Sequence, residues 1–352
     1  MGSVVQLRQR EHASASLTLA AAADAWADAH TASGAWTAGT AKKYRETWRV
    51  LARLLHGGPV PGNLAALDTE AGAAALLDAY RAAWAQFGPA TRARHLSTMR
   101  SAISWWRECG WLHTNPTRGE PIPTIVIDNT RALSRGQLGA LLKLDAPLRE
   151  KTLWRMAYET ACRAEELLCL DITDLDLPNK RAAVRQKGNT IKWIHWQSGT
   201  AHLLPRLIAG RKVGPLFLAD RLPVRAVADA DLCPTTGRAR LSYRRAAELF
   251  TDITLQLANP GVDPAELTEL DRLDKLDKKN GVTGARRLKR WTLHQLRHSA
   301  LTHDAEDGTS DSLLMARSGH RNRRSLGRYT QPGVDAVAAH VASKDPNRRR
   351  RT

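Results

Sequence analysis

The sequence predicts a mainly α-helical protein with one small β-sheet, built as an amino-terminal helical bundle followed by an α+β domain. Three observations predict it. Apolar residues recur at helical spacing from Leu17 to about His113. Prolines and a glycine (Pro116, Gly119, Pro121, Pro123) then punctuate Asn115 to Asn129. Beyond that break the spacing turns once to alternation, on either side of Lys187-Gly188-Asn189, before helices resume.

In the first helix Leu19, Ala22, Ala23 and Trp26 fall on one face. A second spans Thr40 to Leu55, with Tyr44, Trp48 and Leu51 near one face. Asp68 or Thr69 can cap a third that runs to Phe87. A fourth runs from Thr91 to Cys109 and stops at Gly110. The prolines favour an extended connector. The expected organisation is a flexible segment 1–16, a helical domain 17–114, a linker 115–130, a second domain 131–345 and a basic tail 346–352.

In the second domain Ser134 reads as an N-cap, followed by Leu138, Leu141 and Leu142. Another helix covers about Leu148 to Glu159. Ala182-Ala183-Val184 and Ile191 to Trp196 read as strands of a hairpin, with Ile191, Trp193 and His195 on one face. Helices return at Tyr243 to Leu257, Thr292 to about Ala305 and Ser310 to Ser318, and Thr292 with Gln295 forms a capping box. Asp263-Pro264 opens a shorter helix with Leu267, Leu270, Leu273 and Leu276, whose charged end, Asp271 to Lys279, reads as a surface arm. Val334, Val337, Ala338 and Val341 suit a terminal helix over Val334 to Ala342 that could dock on a neighbouring protomer or on its own chain.

Charge narrows the partners. The 352 residues carry a net charge of +18, and 43% are hydrophobic, enough for real cores. Residues 281–352 hold 15 Lys/Arg against 6 Asp/Glu, half of the excess, and Arg348 to Arg351 close the chain. Such a balance favours a polyanion, and nucleic acid is the commonest one. Lys42, Lys43, Arg45, Arg92, Arg94 and Arg100, with Arg244 and Arg245 further on, are candidates for DNA contact; a solvated surface is the ordinary alternative. Cys109, Cys162, Cys169 and Cys233 make no Cys-x-x-Cys pair, which points away from a zinc site or disulfide framework. No apolar run is long enough to span a bilayer, and Met1 to Ser16 is polar, so a soluble, cytoplasmic, nucleoid-associated protein is expected.

The residues that suggest chemistry come in one order. Arg163 lies at the end of an apolar helix, before Glu165 and Glu166. Lys187 sits in the hairpin turn, His294 and Arg297 share a helix face, His320 follows Gly319, and Tyr329 comes nine positions after His320. Breaking a phosphodiester needs a nucleophile, cations on the non-bridging oxygens, a base and an acid. A tyrosine can attack, arginines can clamp bidentately, and a lysine on a turn can protonate a leaving oxygen. Taken singly, each residue has an ordinary structural reading, and Glu166 suits orienting Arg163 more than chemistry.

Together the segments resemble the tyrosine recombinases, or phage integrase family, which includes phage integrases and the Xer dimer-resolving enzymes. They are Thr160-Ala161-Cys162-Arg163-Ala164-Glu165-Glu166-Leu167-Leu168, Arg185-Gln186-Lys187-Gly188-Asn189, Thr292-Leu293-His294-Gln295-Leu296-Arg297-His298, Ser318-Gly319-His320 and Gly327-Arg328-Tyr329. The resemblance covers about Arg131 to Val341, and the first domain looks like the family's core-binding domain. It implies that Arg163 and Arg297 bind the scissile phosphate, Lys187 is the general acid, His294 assists proton transfer and His320 hydrogen-bonds the phosphate. Tyr329 would form a 3′-phosphotyrosyl link and free a 5′-hydroxyl. It implies no metal and no nucleotide cofactor, because the covalent link conserves the bond's energy. Double-stranded DNA is the implied partner, held in a two-domain clamp, with four protomers in a synapse and an accessory directionality protein as a further possible partner. Two departures stand out: Cys162 occupies a place where many relatives carry Leu or Met, and the stretch from Phe250 to Trp291 is longer than usual. A type IB topoisomerase-like enzyme, or a DNA-binding protein without cleavage, are the alternative readings.

Overall fold

The computed structural model describes residues 17–56, 63–125, 132–185, 190–280, 288–320 and 322–327, with 338, 341 and 342. Lys187, Tyr329, the first sixteen residues, the basic tail and most of the expected terminal helix lie outside the described residues. The chain divides into two compact units, Met1–Val126 and Ile127–Thr352.

The first unit holds α1 (Leu19–Ala32), α2 (Ala38–Leu55), α3 (Glu70–Trp84) and α4 (Pro89–Glu108). Thr18, Thr37 and Thr69 accept backbone N–H bonds at the starts of α1, α2 and α3. The choice between Asp68 and Thr69 is thereby decided. Asp68 instead receives the Thr114 backbone N–H at 2.7 Å and that of His113 at 2.9 Å, and so pins the far end of the bundle to the start of α3. Leu19, Ala22, Ala23 and Trp26 are all buried, as their spacing predicts, and Trp48 and Trp106 meet in the centre at 4.6 Å. Gly110 takes φ +73°, the left-handed stop expected after α4.

The second unit contains α5 (Arg135–Lys143), α6 (Leu148–Thr160) and α7 (Ala164–Leu168). A three-stranded antiparallel sheet follows, in the order β1 (Leu175–Asp176), β2 (Arg181–Arg185), β3 (Ile191–His195). Then come α8 (Ser198–Ile208), α9 (Tyr243–Ile253), α10 (Leu255–Ala258), α11 (Pro264–Lys279), α12 (Leu293–Glu306), α13 (Asp311–Ser318) and α14 (Arg323–Leu326). Helix α6 is central, packed against both α8 and α12. Ser134 caps its helix as read, with Gln137 completing a capping box that was not anticipated, and the capping box at Thr292–Gln295 forms as read.

Several elements differ from expectation. The helix expected over Tyr243 to Leu257 breaks at Thr254, and α3 ends at Trp84, short of Phe87. Strand β1 is two residues long, too short to leave a pattern. Helix α8 carries Gly199 and Pro205, poor local signals. It is started from outside by the buried Glu159 carboxylate, which accepts the N–H groups of Gln197 at 3.0 Å and Thr200 at 3.1 Å. The charged arm α11 is also less free than its composition suggests. Leu267 is buried, and Arg290 reaches both Asp271 and Asp274 at 2.6 Å.

Two features of the first unit are testable. A Cβ on Gly72 would lie 1.9 Å from the Ala66 carbonyl oxygen, so Gly72→Ala should lower the melting temperature clearly even though alanine favours helices. The second is His95, buried and stacked on Trp84 at 4.0 Å. Arg94 can only donate, so His95 Nε2 accepts and Nδ1–H points to Thr47 Oγ1 at 3.1 Å. Burial, then the Arg94 charge, hold His95 down to about 4. The unfolded chain, with an ordinary histidine, takes up this proton first as pH falls. Stability should therefore drop between about pH 6.5 and 4, by at most ~1.4 kcal/mol per unit from this group. Denaturation midpoints of the chain and of His95→Gln across that range should converge as pH falls.

Candidate active site

Helix α6 ends at Ala161, which adopts φ 51°, ψ 24°, a left-handed conformation uncommon for alanine. This turn redirects the chain, so Cys162 is buried and Arg163 emerges at the start of α7. Arg163 donates to Glu166 Oε1 at 2.8 Å, and the Cys162 thiol lies 3.0 Å from Glu166 Oε2. Burial opposes ionisation of Glu166, but the bonds from Cys162 and Arg163 outweigh it and hold the carboxyl below its usual range. Burial, then the same carboxylate, push the Cys162 thiol far up, so it stays protonated. Glu166 thus orients Arg163, as its spacing suggests.

Arg297 is 1% exposed. Its Nη1 donates to the Ala161 carbonyl at 2.7 Å and its Nη2 to the Ser318 carbonyl at 2.7 Å. One guanidinium on α12 therefore bridges the carboxyl ends of α6 and α13. Gly319 closes α13 in the left-handed region (φ 71°), and the chain then delivers His320. His320 Nδ1 lies 2.7 Å from Ser318 Oγ, and its Nε2 lies 3.4 Å from Arg297 Nη2. Burial, then the charges of Arg297, Arg163 and Lys192, hold His320 down to about 4. The ring is neutral at ordinary pH and can hydrogen-bond an anion without bringing a charge of its own.

The structure gathers four of the six residues proposed from sequence: Arg163, His294, Arg297 and His320. His294 sits at the exposed edge of α12, its ring 4.8 Å from that of His298. Lys187 lies between β2 and β3, and Tyr329 just beyond α14, both outside the described residues. Of the basic residues suggested for DNA contact, Lys42 and Lys43 are exposed. Arg45 is paired with Asp24 and Asp28, and Arg100 donates to the Glu120 carbonyl. Arg92 is half-buried, and Arg94 is exposed beside His95. Arg244 and Arg245 both meet Glu248, at 2.9 Å and 3.6 Å.

Sequence reasoning missed Lys192 and Arg317. Lys192 alternates with the exposed Ile191 and Trp193 and so points inward, where its ammonium donates to the Arg317 carbonyl. Arg317 pairs with Asp304 and donates to the Glu159 carbonyl at 2.6 Å. The alternation was legible; what an inward lysine would meet was not.

Residues 132–334, more than half of the chain, match the model of the phage integrase family. Tyrosine recombinase XerD of Xanthomonas axonopodis pv. citri is 27% identical over 300 residues, covering 83% of this chain and 86% of that protein. Tyrosine recombinase XerC of Rhodospirillum centenum is 28% identical over 307 residues, covering 84% and 77%. Among solved structures, the Tn1549 transposon integrase in complex with a circular intermediate DNA superposes with a TM-score of 0.59 at 16% identity, over 93% of this chain and 99% of that one. The lambda integrase bound to DNA gives 0.55 at 15% identity, over 87% and 92%. At such identities the structures speak for the fold. Fold and relatives together define the class, a site-specific tyrosine recombinase. The chain belongs to the phage integrase family.

The two arginines differ in what their loss should cost the fold. Arg297→Lys leaves at least one buried helix-end carbonyl without its donor, so chemical denaturation should show a loss of about 1–3 kcal/mol. Arg163→Lys changes a half-exposed side chain paired at the surface, and should lose less than about 1 kcal/mol.

Proposed function

We propose that the chain binds double-stranded DNA and cleaves and rejoins it through a 3′-phosphotyrosyl intermediate on Tyr329. The observation that carries this reading is the cationic corner where Arg163, Arg297 and a neutral His320 converge on two helix ends. Such a corner suits a phosphodiester, a compact anion whose charge grows on the non-bridging oxygens as it is attacked.

In this mechanism Arg163 and Arg297 hold the non-bridging oxygens, and the buried contacts of Arg297 fix its plane in advance. When the phosphate takes the donation of Arg297, His320 Nε2 carries the proton and donates to a phosphoryl oxygen, while the Ser318 hydroxyl donates to Nδ1. His294 receives the phenolic proton of Tyr329. Tyr329 Oη forms the new bond to phosphorus as the bond to the 5′-oxygen breaks, and Lys187 protonates that oxygen. Attack by a 5′-hydroxyl from another strand reverses the step and joins the duplexes. Relatives named recombinases, aligned over four-fifths of the chain, favour strand exchange over topoisomerase-like relaxation.

Exchange between two duplexes requires paired sites, so the working assembly is a homo-tetramer on synapsed DNA, with an accessory protein setting direction. It acts in the cytoplasm on the nucleoid, to integrate, excise or resolve DNA. The first unit is the DNA-clamping domain and the second the catalytic one. Lys42, Lys43, Arg92, Arg94 and Arg100, with Arg244 and Arg245, are the proposed phosphate contacts; Arg45 is already neutralised by two aspartates, while Arg244 and Arg245 share the single carboxylate of Glu248.

Duplexes selected from a random library by binding to Tyr329→Phe supply a substrate. The unsubstituted chain should form covalent adducts with them on SDS gels. Tyr329→Phe should bind equally well and form none; adducts that persist would place the nucleophile elsewhere. Lys187→Ala should cleave poorly, and sulfur at the 5′-bridging position, which leaves without a proton, should restore cleavage. Without that restoration Lys187 is not the acid.

A further inference from the structure

Lys192 is the group at this site that neither the sequence motifs nor the proposed mechanism uses. It is the second residue of β3, pairs in register with Val184, and shares the inward face with Ile194 and Trp196. A lysine on that face needs a partner, because burying a charge without one is costly. Its partner is the Arg317 carbonyl. The next carbonyl, that of Ser318, is taken by Arg297. These are two of the last carbonyls of α13, which have no partner within the helix and carry its negative end. Two cations from separate elements, β3 and α12, therefore cap one helix end at consecutive residues, and His320 leaves from that end two residues on.

We propose that Lys192 is a positioning residue of the phosphate clamp: by fastening the Arg317 carbonyl to β3, it fixes the corner where Arg297 and His320 meet the scissile phosphate. The assignment rests on the function proposed above. The electrostatics agree. Burial, together with Arg297 and Arg163, lowers Lys192 against the opposing pull of Glu166. Lys192 in turn helps keep His320 neutral. Like charges held this close are relieved when an anion arrives.

The test compares two duplexes of the selected sequence, one with a normal scissile phosphate and one with a methylphosphonate there. The methylphosphonate has one non-bridging oxygen replaced by a neutral methyl group and needs a clamp less. Lys192→Met should bind the normal duplex within about threefold of the unsubstituted chain, since few phosphate contacts change. Its single-turnover cleavage of that duplex should fall about tenfold to a hundredfold, the range for a misplaced reacting group. On the methylphosphonate duplex the deficit should shrink to under about threefold. Lys192→Arg, which keeps a cationic donor, should recover part of the rate on the normal duplex. An equal deficit on both duplexes, or none on either, overturns the proposal. Should Lys192→Met fail to fold by thermal melting, Lys192→Gln decides by the same comparison. The functional reading is tested separately: if the unsubstituted chain makes no adduct on either duplex, that reading fails before Lys192 is judged.

Discussion

The buried guanidinium of Arg297 is the interaction on which the site depends. A charge taken out of water costs several kcal/mol unless hydrogen bonds replace its hydration. Here the replacements are two helix-end carbonyls, Ala161 and Ser318, each at 2.7 Å. Those carbonyls would otherwise be unsatisfied at the ends of α6 and α13. One side chain therefore answers two needs of the backbone. In doing so it fixes the distance between two turns that point functional residues the same way, Arg163 after Ala161 and His320 after Gly319.

Around that bridge the charges are sorted by burial. Glu166 remains ionised because Arg163 and the Cys162 thiol bond to it, and in return it holds Arg163. His320 is kept neutral by burial and by the cations around it. The outcome is a concentration of positive charge with Glu166 balancing Arg163, already arranged before substrate arrives. An anion entering it meets oriented donors and needs little reorganisation, which is the economy that electrostatic preorganisation provides. Cys162, noted as a departure from the family pattern, fits this arrangement as a protonated thiol supporting Glu166.

Much of the fold was legible in local signals. The caps Ser134 and Thr292, the buried stripe Leu19–Trp26 and the glycine stops at Gly110 and Gly319 all act where the sequence places them. These features depend on residues within a turn or two of one another. Helix α8 was not legible, because its start is capped by Glu159, some forty residues earlier in the chain. Strand β1 was too short to show a period. Arm α11 read as free because ion pairs such as Arg290 with Asp271 and Asp274 are visible only once the chain has folded.

The sequence by itself determined the kinds of side chain available and their order: a basic chain, two arginines, histidines, a lysine and a tyrosine in family sequence. It also determined that a helix would stop just before His320, since the Gly319 stop is local chemistry, whereas the left-handed Ala161 that turns the chain out before Arg163 has no such local signal. Only the tertiary structure decided that these ends face one another, that Arg297 is buried between them, and that Lys192 joins it at the end of α13. Two of the deciding contacts, Arg297 with Ala161 and Lys192 with Arg317, join residues more than a hundred positions apart, where packing and the need to satisfy buried polar groups set the partners and no spacing along the chain records them.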